Sequence, residues 1–254
     1  MSFERFRNLV NTSDLYLARI DQFSDFVEGS MPRKTRERNY RKMAAQGGGD
    51  ISHVIPRFNK MVSNCWYASC WTRGEKESNL LWRAYGQPEN TDEHKFKVAI
   101  KTTVKGLMDS VYDDSLVLGR IKYYDDENED PIRNETGVPH GSLVYSKRKE
   151  YKSEKEVRLA WFNSKGAPVG FVDFTSQPTT PLGVTFKTDL NILIENIYIE
   201  AIQIKREHLN NYPESFVKER GRIKKEADYR KQLVKDLLSS NGVEQKQIHV
   251  SHIL

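Results

Sequence analysis

Two glutamates carry the first suggestion of chemistry. Glu154 and Glu156 stand on alternate positions of Tyr151-Lys152-Ser153-Glu154-Lys155-Glu156-Val157-Arg158-Leu159-Ala160-Trp161, a stretch that reads as a strand. Strand side chains alternate between faces, so Val157, Leu159 and Trp161 share one side while Glu154, Glu156 and Arg158 share the other. Two carboxylates so placed lie about 7 Å apart by strand rise. Both then reach one ligand and still take different roles, as in many sites that cleave sugars. The plainer reading is a solvated face on an edge strand, since Glu-x-Glu alone is a short motif.

Other residues extend the set. Asp14 to Ile20 reads as a strand with Tyr16 and Ala18 on one side and Leu15, Leu17 and Arg19 on the other. Arg19 either snorkels from the strand end or offers a guanidinium to an anion. Cys65 to Thr72 reads as a second strand on which Ser69 and Trp71 share a face, and a helix over Glu77 to Tyr85 follows at once. A separate group, Asp126 or Asp130 with Glu150-x-Lys152, has the composition of a magnesium-dependent nuclease. There two carboxylates hold the metal and the lysine steadies the attacked phosphate. Its aspartates fall in the acidic run of residues 125 to 130, which reads as a loop.

The net charge of +5 is modest for 254 residues, but it is unevenly spread. Arg33, Lys34, Arg36, Arg38, Arg41 and Lys42 form one basic cluster, and a second runs from Lys218 to Lys235. Such clusters are either solvated helix faces or footprints for nucleic acid. Cys65 and Cys70 suggest neither a disulfide framework nor a zinc site, and the six histidines are scattered without ligand spacing. No apolar run is long enough to span a bilayer and the N-terminus lacks signal-peptide order, so a soluble, cytoplasmic protein without a membrane partner is expected.

These residues need a scaffold, and periodicity supplies one. Helices are expected over 3–10, 32–45, 54–64, 77–85, 104–112 and 213–240, the last long and basic with Phe216, Ile223, Tyr229, Leu233, Leu237 and Leu238 inward. In the helix over 77–85, Trp82 and Tyr85 read as core; in that over 104–112, Leu107, Met108 and Val111 do. Strands are expected over 97–103, 115–124, 170–174 and 183–186, within 192–203 from Ile197, and over 247–254. Gly47-Gly48-Gly49 is a hinge or flexible loop. No repeat or long linker stands out, so one α+β domain over 1–254 is expected, with 213–240 as its basic helical segment.

The order Arg19, Ser69, Glu154-x-Glu156 resembles the arginine, serine, glutamate order of ADP-ribosyltransferase folds, bacterial toxins among them. The wider pattern also resembles a large bacterial domain family of unassigned function. It runs from Leu15-Tyr16, Phe23-x-Asp25 and Glu28-Gly29 through Ser69-Cys70-Trp71-Thr72 and Trp82-x-x-Tyr85 to Ser153-Glu154-x-Glu156-Val157-Arg158, most of the chain. The transferase likeness implies a split, mostly antiparallel sheet flanked by helices and clasping NAD, the substrate, through an oxocarbenium-like transition state. It implies that Glu156 stabilises the ribose, Glu154 activates the acceptor, Arg19 binds the anionic part of NAD, and Trp71 stacks on nicotinamide. Ser69 or Thr72 holds the ribose; transferases commonly have serine, threonine, serine here, and Ser69-Cys70-Trp71-Thr72 leaves the choice open. The acceptor implied is RNA, DNA or protein, and a toxin or antiphage role with an antitoxin partner follows from the resemblance alone. The alternatives are the nuclease and a non-catalytic module that binds nucleic acid or a partner protein.

Overall fold

The computed structural model describes residues 1–23, 25, 27–47, 54–132, 140–164, 180–202 and 213–251. In chain order its elements are α1 (Phe3–Thr12), β1 (Asp14–Arg19), α2 (Arg33–Ala45), α3 (Val54–Cys65), β2 (Trp66–Thr72), α4 (Asn79–Ala84), β3 (Val98–Lys101) and α5 (Val104–Asp109). There follow β4 (Val117–Arg120), β5 (Lys122–Tyr124), α6 (His140–Val144), β6 (Ser146–Arg148), β7 (Glu156–Phe162), β8 (Gly183–Lys187), α7 (Leu190–Leu193), β9 (Asn196–Ile199), α8 (Pro213–Ser240) and β10 (Gln247–Val250). Short 3-10 turns occupy Ile20–Gln22 and Lys149–Glu154. The protein is α+β, with mostly antiparallel sheets flanked by helices.

The chain resolves into two compact units, each assembled from separated segments. The first comprises Met1–Leu15, Glu75–Tyr112 and Phe186–Leu254. Its sheet has the order β10-β9-β3, with β9 antiparallel to β3 and parallel to β10. Ile197 and Ile199 alternate inward along β9 as expected, and α1 buries Phe3, Phe6, Leu9 and Val10 at helical spacing. The Ser2 side chain caps α1 by accepting from the Arg5 amide.

On α8 the inward stripe is Val234 and Leu238, while Tyr229 is exposed. The expected stripe was drawn along the largest apolar residues, but a 3.6-residue period through Leu238 selects position 234. Tyr85 is likewise exposed, because α4 ends at Ala84 and releases it, and Met108 is exposed on the short α5. Phe216, on whose side chain that stripe also drew, lies outside the described side chains, as do the strand expected over 170–174, Gly48 and Gly49.

The second unit comprises Tyr16–Gly74 and Asp113–Thr185. Its sheet runs β4-β7-β2-β1-β8, and the pairings of β7 with β4 and β2 and of β2 with β1 are antiparallel. One face packs on an apolar cluster of Ile20, Val62, Trp66, Ala68, Ile132, Leu143, Val144 and Ala160. The expected strand over 115–124 is broken at Ile121 into β4 and β5, and β5 pairs in parallel with β6. Gly119 is needed on β4: a Cβ there would stand 2.5 Å from the Tyr145 ring.

The expected strand over 151–161 is shorter at its front. Residues 149–154 wind into a 3-10 turn, Lys155 takes a left-handed conformation (φ 47), and β7 begins only at Glu156. The run Lys149-Glu150-Tyr151-Lys152-Ser153-Glu154 holds no alternating apolar face to pack, and its glutamates and lysines suit a helical turn better than a strand. Glu154 therefore owes its position to a turn, not to strand alternation.

Candidate active site

Strands β7 and β2 converge the titratable groups at one end of the five-stranded sheet. Thr72 pairs with Glu156 and Cys70 with Arg158, while Gly119 of β4 flanks Arg158 from the other side. Directly opposed residues project from one face, so these side chains stand together. Glu28 arrives from the turn after β1, where Gly29 takes a φ of 70 that a side chain resists. Lys147 and Arg148 arrive from β6, and Glu154 from the 3-10 turn.

Arg158 is fully buried, with 0% of its surface exposed. Its Nε donates to Glu156 Oε1 at 2.6 Å, and its Nη2 to Glu156 Oε2 at 3.2 Å and Glu28 Oε1 at 2.7 Å. Its Nη1 donates to the Val144 carbonyl at 2.7 Å, and the Phe23 ring lies 5.2 Å from its Cζ. Lys147 Nζ donates to Glu154 Oε2 at 2.7 Å and Glu156 Oε2 at 3.0 Å, and stands 3.8 Å from Glu28 Oε2. The Glu156 amide donates to Tyr123 Oη at 2.8 Å, and the Thr72 hydroxyl to the Glu154 carbonyl at 2.6 Å. An Arg148 to Asp25 pair at 3.1 Å flanks the group.

The environment drives two of the carboxylates apart. Burial by itself would raise Glu156, but the Arg158 guanidinium and then Lys147, helped by the Cys70 thiol, more than offset it and hold this carboxyl at about 2. For Glu28 burial wins over Arg158 and Lys147 and lifts the carboxyl above its ordinary value. Glu28 Oε2 is buried without a hydrogen-bond partner. Burial opposes the charge on Lys147 and Arg158, yet the surrounding carboxylates raise both and keep them cationic. Desolvation pushes the Cys70 thiol up from its ordinary value, although the residue as a whole is exposed.

The six residues singled out from the sequence divide between two faces. Glu154, Glu156 and Thr72 come together. Arg19 pairs with Tyr67, which pairs with Trp161, five positions along β7 from Glu156 and so about 17 Å away by strand rise. Arg19, Ser69 and Trp71 project from the face opposite to Glu156, because Tyr67, Ser69 and Trp71 alternate with Ala68, Cys70 and Thr72. Arg19 is held by Asp21, through bonds of 2.7 and 2.8 Å, and by the Thr180 carbonyl at 2.6 Å. One hollow shared by Arg19, Ser69, Glu154 and Glu156, as the motif order implied, is not formed.

The group set apart for a nuclease is also spread out. Asp126 accepts from the Arg33 amide at 3.0 Å, and Asp130 accepts from Thr35 at 2.6 Å and pairs with Arg38 at 2.8 Å, so both serve the start of α2, while Glu150 and Lys152 lie in the 3-10 turn. Sequence reasoning missed Lys147, which no motif marks; Glu28 and Asp25 stood in the wider resemblance pattern without a role. Among the described residues no helix is long and apolar enough to cross a membrane. Comparison with family models, with curated proteins and with solved structures finds no match, so the geometry above is what the site must be read from.

Proposed function

We propose that this chain is an NAD-dependent ADP-ribosyltransferase in which Glu156 and Glu154 act on the ribose and the acceptor. The observation that supports it is the convergence of both carboxylates on the Lys147 ammonium, at 3.0 and 2.7 Å. The two carboxylates then lie within about 6 Å of each other, a spacing at which paired carboxyl groups handle glycosidic bonds. Glu156, held ionised, stabilises positive charge on the ribose as the glycosidic bond breaks and its electron pair leaves with neutral nicotinamide. Glu154, the less buried of the two, takes the proton from the acceptor as the new bond forms at the ribose carbon.

With all groups ionised, Glu28, Glu154 and Glu156 outnumber Lys147 and Arg158 by one negative charge, which favours a cationic nicotinamide ring and an oxocarbenium-like ribose. Thr72, opposite Glu156, is the better placed hydroxyl for the ribose than Ser69. Arg19, Ser69 and Trp71 take no part in this version of the site, and the transferase-like arrangement of the α+β fold belongs to the proposal. The acceptor is RNA, DNA or protein in the cytoplasm, and an antitoxin partner accompanies a toxin or antiphage role.

A second reading rests on the complete burial of Arg158: a structural ion-pair knot that ties β6, β7 and the Glu28 turn together. Labelled NAD incubated with the purified protein and whole-cell lysate separates the two. Transfer of label that is lost in Glu154→Gln and Glu156→Gln, both checked for native near-UV circular dichroism, supports the transferase. Undiminished transfer in the two folded variants, or none from the unaltered protein, leaves the structural knot.

A further inference from the structure

We infer that the groove between α8 and β10 binds the phosphate backbone of a single-stranded nucleic acid. The groove belongs wholly to the first unit, and its basic wall is built by Lys231 and Lys235 of α8 and by Lys246 just before β10, with His249 beside them. Cations on α8 fall into two sets. Arg222 is paired with Glu219 at 2.6 Å and Arg230 with Glu226 at 2.7 Å. Lys231 and Lys235, which line the groove, have no carboxylate at ion-pair distance among the described residues. Two acids lie close by along the helix: the exposed Asp228, three residues before Lys231, and Asp236, which accepts from the Gln232 amide at 2.7 Å.

Residues four apart on a helix fall on one side, so Lys231 and Lys235 share the side that lines the groove together with Lys246. Three ammonium groups along one groove, with no carboxylate among its lining residues, match a chain of phosphates better than they match a single anion. Lys246 is fixed in place, its Nζ donating to the Asn191 carbonyl at 2.8 Å, and two N–H groups of that ammonium remain for a ligand.

The second wall adds rings to the charge. His249 stacks on Tyr198 at a centroid distance of 5.0 Å and an interplanar angle of 26°, and both residues are half-exposed. A stacked ring pair beside a basic stripe is how sequence-tolerant sites hold unpaired bases while cations track the backbone. A duplex has no free base to add to the stack, which favours a single strand. An acidic protein segment pairing with the outer edge of β10 is the competing occupant, since β10 is the edge of its sheet among the described residues. Such a segment would use the edge of β10 but neither the lysines of α8 nor the stacked Tyr198 and His249 rings.

Fluorescence anisotropy of a short labelled oligouridylate, titrated with the full chain at several salt concentrations, tests this. The unaltered protein is expected to bind with an affinity that falls steeply as salt rises. Lys231→Glu with Lys235→Glu should weaken binding at least roughly tenfold and reduce the slope of log affinity against log salt by about 1.4, near 0.7 for each lost phosphate contact. His249→Ala should weaken binding of the oligonucleotide while leaving inorganic polyphosphate unaffected. Arg33→Glu with Arg36→Glu, in the other basic cluster and the other unit, should change neither.

Absence of binding by the unaltered protein, binding undisturbed in the α8 pair, equal weakening in the α2 pair, or tighter binding of polyglutamate than of the oligonucleotide each overturns the assignment. None of these measurements involves NAD. Loss of the groove and loss of the transferase reading are therefore distinguishable.

Discussion

Arg19 and Arg158 stand on strands of one sheet, and each is bonded to a carboxylate two residues away: Arg19 to Asp21, Arg158 to Glu156. Their bond lengths are nearly the same, 2.7 and 2.6 Å. Their surroundings differ. Asp21 lies in a 3-10 turn with 29% of its side chain exposed, so water competes with the arginine for it. Glu156 is 6% exposed and shares its second oxygen with Lys147, and the guanidinium that holds it sees no solvent. The same pair of functional groups is a partly solvated clamp at one end of the sheet, its arginine 12% exposed, and a buried multi-body knot at the other. Distance alone does not tell which pair matters; the loss of solvent does.

Removing the buried member should have the largest consequence. Arg158→Met fills much of the volume but strands Glu156, Glu28 Oε1 and the Val144 carbonyl, all bonded to the guanidinium. A cost of about 3–5 kcal/mol is expected from an uncompensated buried charge, read as a lower midpoint in urea or as failure to fold. A cost below about 1 kcal/mol would mean that the knot resembles the clamp and that Arg158 is dispensable to the sheet.

Acid should dissolve the same contrast more gently. Glu156 is held at about 2, below the ordinary 4.5 of a glutamate carboxyl. A depressed carboxyl stabilises the fold above its unfolded value and loses that contribution as pH falls from 4.5 toward 2, here on the order of 3 kcal/mol. Glu28 has the opposite sign. Its raised carboxyl is penalised when ionised, so protonation on the way down from neutral pH relieves the fold slightly before the Glu156 loss begins. Unfolding free energy measured against pH should therefore rise a little and then fall steeply. Glu156→Gln should flatten the steep acid limb, and Glu28→Gln should remove only the shallow rise.

How much of this was legible in the sequence follows from which forces act locally. The helices over α1, α2 and α8 and the alternation of β1, β2 and β9 are written in side-chain period, and they stand where period put them. Glu154 and Glu156 were found as a pair, but for a reason that does not hold: a 3-10 turn and a left-handed Lys155 bring Glu154 round, and Lys147 from β6 fixes the distance. Nothing in Ser146-Lys147-Arg148 distinguishes that lysine from its neighbours, because its role is created by the pairing of β6 with β5 and by the turn that brings the glutamates back to it.

The division of Arg19, Ser69 and Trp71 from Glu156 was hidden for a related reason. Which face each strand turns toward which depends on the pairing of β2 with β7, and a one-residue slip would have exchanged them. Motif order records which residues a chain contains, whereas register decides which of them meet. The two units pose the same difficulty on a larger scale, since each gathers segments separated in sequence by a segment of the other.

The smallest effect is expected where the pair is wettest. Arg19→Ala removes the bonds to Asp21 and the donation to the Thr180 carbonyl. Asp21 regains water directly, being already part exposed, and so is not left as a buried charge. The change should cost about 1–2 kcal/mol, since the arginine is only 12% exposed and also loses its bond to Thr180, still well below the cost of Arg158→Met. It should leave transfer from NAD intact, because about five residues of strand and the thickness of the sheet separate it from Glu156. Loss of transfer in a stable Arg19→Ala protein would return Arg19 to the site and require the ligand to reach both faces of the sheet. Unchanged transfer beside a lost Glu154→Gln activity would confine the chemistry to the end where β7 begins.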